Sequence, residues 1–376
     1  MNILFLCGSR GEWGYIQPLI DLCVRRGVRH EICATNMLML SAYGSLIEEV
    51  RSQGYNVTQE LFMSLEGSSH FSMAKSLGVL LQSFVDTLHR VRPDWLVIAG
   101  DRGEQLMGAI AASYTYTPVA HIQAGELSGN IDGVTRHAIG KFAHLHFAAN
   151  EDAAERLRKL GEEPFRIHMV GHPALDPIVA GNVTHRQQLG QSYPIGDGGY
   201  LLIVLHPTTE DFEHQHLQVQ SVIDAVQLVS CPRIWILSNN DAGSTIVRQK
   251  IMAARTSSDH IFANLPRADY LGLLQHASCI VGNSSSGLLE APTFHTPSLN
   301  IGRRQHRRVQ GANVINCAFE ASSISSALER AMSSSFRKGL ASSKNPYGDG
   351  RSSDRILRVL ESTPISDTLL VKRLTY

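Results

Sequence analysis

The stretch Cys279-Ile280-Val281-Gly282-Asn283-Ser284-Ser285-Ser286-Gly287-Leu288-Leu289-Glu290 constrains the chain more than any other. A short apolar run ends at Gly282, three hydroxyls follow, and a helical pattern begins. A strand that passes into a helix through small residues leaves backbone N–H groups free at the helix start. Those donors, the positive end of the helix dipole and the serine hydroxyls together make a seat for a phosphate. Glu290 lies six residues past Ser284, placed to meet a sugar hydroxyl of whatever carries the phosphate. Asn and Ser are also ordinary cap residues, so an N-capped helix without a ligand would use the same letters. Asn283, Ser284, Ser285, Ser286, Gly287 and Glu290 are the first candidate binding residues.

The same grammar recurs along the chain. Ile3 to Cys7, Trp95 to Ala99 and Pro118 to Ile122 are continuous apolar runs, as expected of parallel strands covered on both faces. Each hands over to a polar turn and then to a helical pattern, which predicts a right-handed, doubly wound parallel sheet. Residues 59–75 show no clear period and read as a loop over the cleft, with a helix following from Leu77 to Val91. A polar stretch, 182–199, carries Pro194, Gly196, Gly198 and Gly199, and Tyr200 to Leu205 then restarts the pattern. At 376 residues two domains are the expectation. The division read from the sequence is 1–181, a linker at 182–199, a second domain at 200–352, and a helix and tail at 353–376 that return to the first. The fold class is α/β, with two Rossmann-like domains whose polar strand-end loops face a cleft, the GT-B-like plan of nucleotide-sugar enzymes.

Composition removes several classes. Lys+Arg and Asp+Glu both number 34, so no basic field argues for nucleic acid. The six cysteines are scattered in apolar runs without CxxC spacing and read as reduced core residues of a cytoplasmic protein. No apolar run approaches the ~18 residues of a membrane span, and the opening run is too short for a signal peptide. No cluster of metal ligands is legible.

Charged and polar residues gather where open α/β sheets bind ligands, at the carboxyl ends of strands. Arg10 follows the first strand, although Gly8-Ser9-Arg10-Gly11 does not complete GxGxxG. Asp101 and Arg102 follow Ala99 and Gly100. The loop after Ile122 is the densest polar cluster, with Gln123, Glu126, Asp132, Arg136 and His137. A loop this polar between a buried strand and a helix is more often a site than a connector. In the second half, His206, then Asn240, Asp241 and Gly243, and then Arg303, Arg304, Arg307 and Arg308 follow strands in the same manner. Arginine forks suit phosphate oxygens, and a solvated basic loop is the plainer alternative.

Taken together these loops resemble the UDP-N-acetylglucosamine 2-epimerase family, in particular its hydrolysing branch. The carriers are Ser9-Arg10-Gly11-Glu12, Gly100-Asp101-Arg102, His121-Ile122-Gln123-Ala124-Gly125-Glu126-Leu127-Ser128-Gly129-Asn130-Ile131-Asp132, Arg136-His137, Leu205-His206-Pro207, Asn240-Asp241-Ala242-Gly243 and Gly282-Asn283-Ser284-Ser285-Ser286-Gly287. The resemblance implies loss of UDP from C1 with proton removal at C2, a glycal-like intermediate, then addition of water to give the C2-inverted free sugar. It places Asp101 and Asp132 in the acid/base set with His206. It matches Arg10, Ser284, Ser285 and Arg304 to the diphosphate, and Glu290 to the ribose. It implies a UDP-amino sugar partner, a homodimer or homotetramer, and neither cofactor nor metal. Gln123 stands where the family commonly has Glu, and a carboxamide cannot take a proton from carbon; Glu126 is the alternative carboxylate. Leu38 stands where the family usually has His, which implies a less polar sugar face, as for a 6-deoxy or diacetamido sugar. A glycosyltransferase of the same architecture and a silent UDP-sugar-binding protein are the competing readings.

Overall fold

The computed structural model describes residues 1–376 except 42–45, 67–68, 130, 197, 239–240, 376 and the side chains of 209–210. The chain divides into two compact units, Met1–Leu127 with Ile131–Val179 and Tyr347–Tyr376, and Ser128–Asn130 with Ala180–Pro346. Among the described residues, the first unit holds seven strands: β1 (Asn2–Cys7), β2 (Arg29–Thr35), β3 (Val57–Leu61), β4 (Trp95–Ala99), β5 (Val119–Ile122), β6 (Leu145–Ala148) and β7 (Ile167–Met169). They form one parallel sheet in the order 3-2-1-4-5-6-7. Between them run helices α1 (Arg10–Arg26), α2 (Leu46–Ser52), α3 (His70–Val91), α4 (Gly103–Tyr114), α5 (Ile131–Phe142) and α6 (Glu151–Lys159), and α7 (Asp176–Val179) follows β7.

In the second unit α8 (Arg186–Ser192) precedes β8 (Leu201–Val204), α9 (Gln215–Gln227), β9 (Arg233–Ile236), α10 (Ser244–Ala253), β10 (Asp259–Phe262) and α11 (Arg267–His276). Then come β11 (Cys279–Gly282), α12 (Ser286–Leu289), β12 (Ser298–Ile301), β13 (Val314–Cys317), α13 (Ala321–Met332) and α14 (Ser334–Leu340). These six strands pair in parallel in the order 10-9-8-11-12-13. Finally α15 (Ser352–Ser362) and α16 (Asp367–Leu370) belong to the first unit.

Side-chain alternation explains the continuous apolar runs. In β1 and β4, Ile3, Phe5, Cys7, Trp95, Val97 and Ala99 enter one core cluster, and Leu4, Leu6, Leu96 and Ile98 enter another. Successive residues of a strand face opposite sides, so a sheet covered by helices on both faces needs every residue apolar. Strand order reverses between β1 and β4, and again between β8 and β11. Loops leaving the carboxyl ends of strands at such switch points are where α/β sheets take ligands.

Several boundaries differ from the sequence expectation. The stretch expected as a linker carries α8, whose Leu189 is fully buried, and Thr184 Oγ1 and Tyr193 OH each donate to Asp269 at 2.6 Å. Residues 59–75 are not a loop throughout, because β3 occupies the sheet edge and α3 starts at His70 behind a Ser69–Ser72 capping box. The strands β10 and β13 were not expected; each is four residues long and pairs on one side only.

The return to the first unit begins at Tyr347. Ile356, Leu357, Leu360 and Leu369 enter the same core cluster as Trp13, Ile16 and Leu19 of α1. Arg166, fully buried, donates through Nη1 to Leu369 O at 2.7 Å and through Nη2 to Thr368 O at 2.8 Å. Lys372 Nζ donates to Gly140 O at the end of α5 and sits 2.6 Å from Glu162 Oε2. Lys141 and His146 also donate to Glu162, at 2.9 and 3.0 Å. Burial alone would raise the Glu162 carboxyl, but His146 and Lys372 pull it well below the ordinary carboxylate range.

Burial pushes His146 down to about 4 and His144 to about 4, so both imidazoles are neutral in the fold at pH 7. A histidine whose folded pKa is depressed binds its proton more readily when unfolded, so stability is lost as pH falls from about 6.5 toward 4. Thermal melts at pH 7.0 and about 4.5 should show a clear fall in Tm on acidification. His146→Gln, which has no titrating ring, should make that fall shallower.

Candidate active site

The first unit places its polar groups at the ends of β1, β4 and β5. Ser9 caps α1 by accepting the Glu12 N–H at 3.3 Å, which sets Arg10 as the first helical residue. Glu12 Oε2 accepts the Gly8 N–H at 2.6 Å and closes the turn. Burial first, and Glu104 second, push Glu12 up to about 8, so this carboxyl is largely protonated at neutrality. Glu104 in turn accepts from Asn36 Nδ2, and Arg102 Nε lies 3.4 Å from its Oε2.

Arg136 is the hub of this half. It is 1 % exposed, pairs through Nη2 with Asp101 Oδ2, and donates through Nη1 to Gln123 O at 2.7 Å. One guanidinium thus joins the end of β4, the end of β5 and helix α5. Asp132 stands four residues before Arg136 on α5, hence one turn along the same face, and is half-buried. It sits on a helix, where the sequence expectation had it in a loop. Gln123 holds a left-handed backbone, φ +64°, unusual for a residue with a side chain. His121 Nε2 donates to Gly100 O at 2.7 Å, and burial drives its pKa down to about 3, leaving a neutral ring. Burial, then the Arg136 charge, also lowers His137.

Glu126 has a different setting. Its Oε1 accepts from Asn150 Nδ2 at 3.2 Å, and Asn150 caps α6, so Glu126 is wired to the entry of α6. That contact weighs against its standing in for a base at position 123. Leu38 is a second correction: it is fully buried in the core cluster with Phe5 and Ile32 and forms no sugar face.

In the second unit the seat expected from the sequence is built otherwise than by a helix dipole. The helix α12 spans Ser286–Leu289 only, too short for a substantial macrodipole, and a 3₁₀ turn, Ala291–Phe294, follows with Pro292 at its start. Side-chain clamps hold it instead. Asn283 is fully buried; its Oδ1 accepts the His206 N–H at 2.8 Å and its Nδ2 donates to His206 O at 2.9 Å. Asn283 therefore fixes His206, and because it is fully buried its amide faces the backbone and not a ligand, which corrects its expected role as a ligand contact. Its own carbonyl accepts from Arg304 Nη1 at 3.2 Å and Gln305 Nε2 at 3.0 Å. Arg304 O accepts the Gly129 N–H at 2.9 Å.

Glu290 is buried, bridging Ser286 Oγ and Arg267 Nη2. Gly287 packs so closely that a Cβ would stand 2.2 Å from Ser298 Oγ, so its glycine is a packing requirement. Ser284 and Ser285 remain half-buried at the end of β11. Gly243, at φ +91°, starts α10, and Asp241 is buried beside it, its carbonyl accepting the Ser244 N–H at 3.0 Å. Asn240 lies outside the described residues, as does Asn130. Arg267, Gln305 and Glu104 escaped the sequence reading; only Arg267, straight after Leu265-Pro266, had a positional signal. Among the described residues no group of three or more His, Cys, Asp or Glu is arranged to hold a metal ion, and no helix is long and apolar enough to cross a membrane.

Two doubly wound parallel sheets with charged loops at both switch points define a two-domain, ligand-binding class of α/β protein. The family model described as UDP-N-acetylglucosamine 2-epimerase matches residues 21–361, and the chain belongs to that family. A UDP-N,N'-diacetylbacillosamine 2-epimerase (hydrolyzing) of Legionella pneumophila is 32 % identical over 374 residues, 99 % of this chain and 98 % of the relative. A UDP-N-acetylglucosamine 2-epimerase of Neisseria meningitidis is 30 % identical over 333 residues, 88 % of each chain. The fold matches a crystal structure of UDP-GlcNAc 2-epimerase from Neisseria meningitidis bound to UDP-GlcNAc, with a TM-score of 0.82 at 18 % identity, covering 96 % of this chain and 100 % of that one.

Asn283→Ala tests the clamp. Leaving the His206 backbone unpaired in a buried site should cost about 1–3 kcal/mol of stability in urea unfolding. The same variant should bind UDP more weakly by calorimetry, because His206 loses its anchor.

Proposed function

We propose that this chain is a hydrolysing 2-epimerase. It takes a UDP-activated 2-acetamido sugar, UDP-N,N'-diacetylbacillosamine foremost, releases UDP, and returns the free sugar inverted at C2. The observation that carries the reading is the Arg136 hub, which brings a carboxylate, Asp101, to a strand-end loop with a second, Asp132, one turn away on the same helix face. Two carboxylates in one neighbourhood are what proton removal and return at a carbon need. The full-length likeness to the Legionella relative supports the hydrolysing outcome and the diacetamido substrate.

The chemistry balances without any cofactor. A carboxylate takes the C2 proton, the C2–H electron pair becomes the C1=C2 bond, and the C1–O bond to the diphosphate breaks with its electrons. UDP departs, its charge met by Arg10, Arg304, His206 and the hydroxyls of Ser284 and Ser285. Water then adds its oxygen to C1, and a proton reaches C2 on the opposite face from the second carboxylic acid. Glu290 contacts the ribose, and His137, Asp241, Gly243, Ser286 and Gly287 line or shape the binding loops. The protein acts in the cytoplasm as a homodimer or homotetramer.

Turnover in D2O of UDP-N-acetylglucosamine and its 2,4-diacetamido-6-deoxy analogue, followed by NMR, tests the reading. Deuterium at C2 of a free sugar is expected, with the diacetamido substrate faster; sugar transferred to an acceptor without label would refute it. Asp132→Asn should lower kcat by at least about a hundredfold while UDP affinity stays within about twofold. Ser285→Ala should do the reverse, weakening UDP binding and sparing the proton exchange.

A further inference from the structure

Gln123 is 3 % exposed and stands at the carboxyl end of β5 in a left-handed conformation, φ +64°. Arg136 holds that conformation by donating to Gln123 O at 2.7 Å while pairing with Asp101. A side-chain-bearing residue is strained in this region and persists there where the surroundings over-determine it. The side chain lies over Gly100: a Cβ built there would be 4.0 Å from Gln123 Oε1 and 3.6 Å from the Tyr15 ring. Gln123 Nε2 is buried without a hydrogen-bond partner. A buried N–H left without an acceptor carries a desolvation penalty that a ligand acceptor would remove.

We infer that Gln123 is a neutral hydrogen-bond donor to an acetamido carbonyl oxygen of the bound sugar, and a specificity residue, with no share in proton transfer. The inference rests on the 2-epimerase reading and deepens it. A carboxamide N–H2 offers donors only, and a carbonyl oxygen accepts only, whereas a hydroxyl would bring a proton of its own into a crowded site. A glutamate at this position would add a second negative charge beside Asp101 and compete for the Arg136 hub. With a carboxamide there, the proton steps at C2 fall to carboxylates elsewhere on the sheet's edge. An N-acetylated sugar is thereby told from its 2-hydroxy analogue, because a site built around a hydrogen bond rejects a ligand that leaves the donor unmet.

The test compares the full chain with Gln123→Met, near in size but without a donor, and with Gln123→Glu. Competition binding of UDP-N-acetylglucosamine against UDP-glucose should show the wild type preferring the former by about tenfold or more, shrinking to about threefold or less in Gln123→Met. Folding of each variant is checked by its unchanged affinity for UDP. Gln123→Glu should lower kcat/KM and displace the pH–rate profile. An unchanged sugar preference in Gln123→Met, or a Gln123→Glu variant as fast as or faster than wild type, would overturn the inference. Absence of UDP release by the wild type from either N-acetylated donor would count against the epimerase reading alone, since the binding comparison is scored independently of turnover.

Discussion

The buried guanidinium of Arg136 is the constraint on which the polar strand-end loops of the first unit depend. It is almost wholly withdrawn from water, so its charge needs partners, and it finds them in the Asp101 carboxylate and the Gln123 carbonyl. Stripping one partner from such a group strands a charge at a cost of about 3–5 kcal/mol. That penalty works in favour of geometry, because β4, β5 and α5 cannot shift independently without incurring it. The positions of Asp101 and Asp132 therefore follow from a packing problem solved once, by one side chain.

The second unit reaches rigidity by a different route. The loop after β11 has only a single turn of helix behind it, so neutral amides take over the work of aligned peptide dipoles. Asn283 pins His206, Gln305 donates to Asn283 O, and Asn313 donates to Gly287 O at 3.1 Å and Thr296 O at 3.0 Å. Amide N–H groups aimed at backbone carbonyls hold the chain in place without burying a net charge.

What could be read from the letters alone was whatever depends on local pattern. Ile3 to Cys7 and Trp95 to Ala99 are apolar throughout and bounded by glycine, so β1 and β4 were legible. The edge strand β3, Val-Thr-Gln-Glu-Leu, carries polar residues because one flank faces away from the sheet, and so it read as loop. The Ser69–Ser72 box that starts α3 uses Ser in place of the usual Glu or Gln, which hid the helix start. Pro292 carries the signal for the early stop of α12, since the residue before a proline resists helical geometry. At the site, residue types at strand ends were readable, but their wiring was not. Arg267 lies 23 residues from Glu290 in the chain and meets it only through the fold, Leu38 turns inward, and the unmet amide of Gln123 exists only once Arg136 has set its backbone.

The closing segment of the chain bears on how the protein is made. The first unit's sheet is complete by Met169, but the α1 side of its core lacks Ile356, Leu357, Leu360 and Leu369 until the segment that follows the second unit has been made. During synthesis the leading unit must wait, with an apolar groove along α1 uncovered, while the trailing unit emerges entire. Order of translation and order of completion are thus inverted, and the unit begun first is the one finished last.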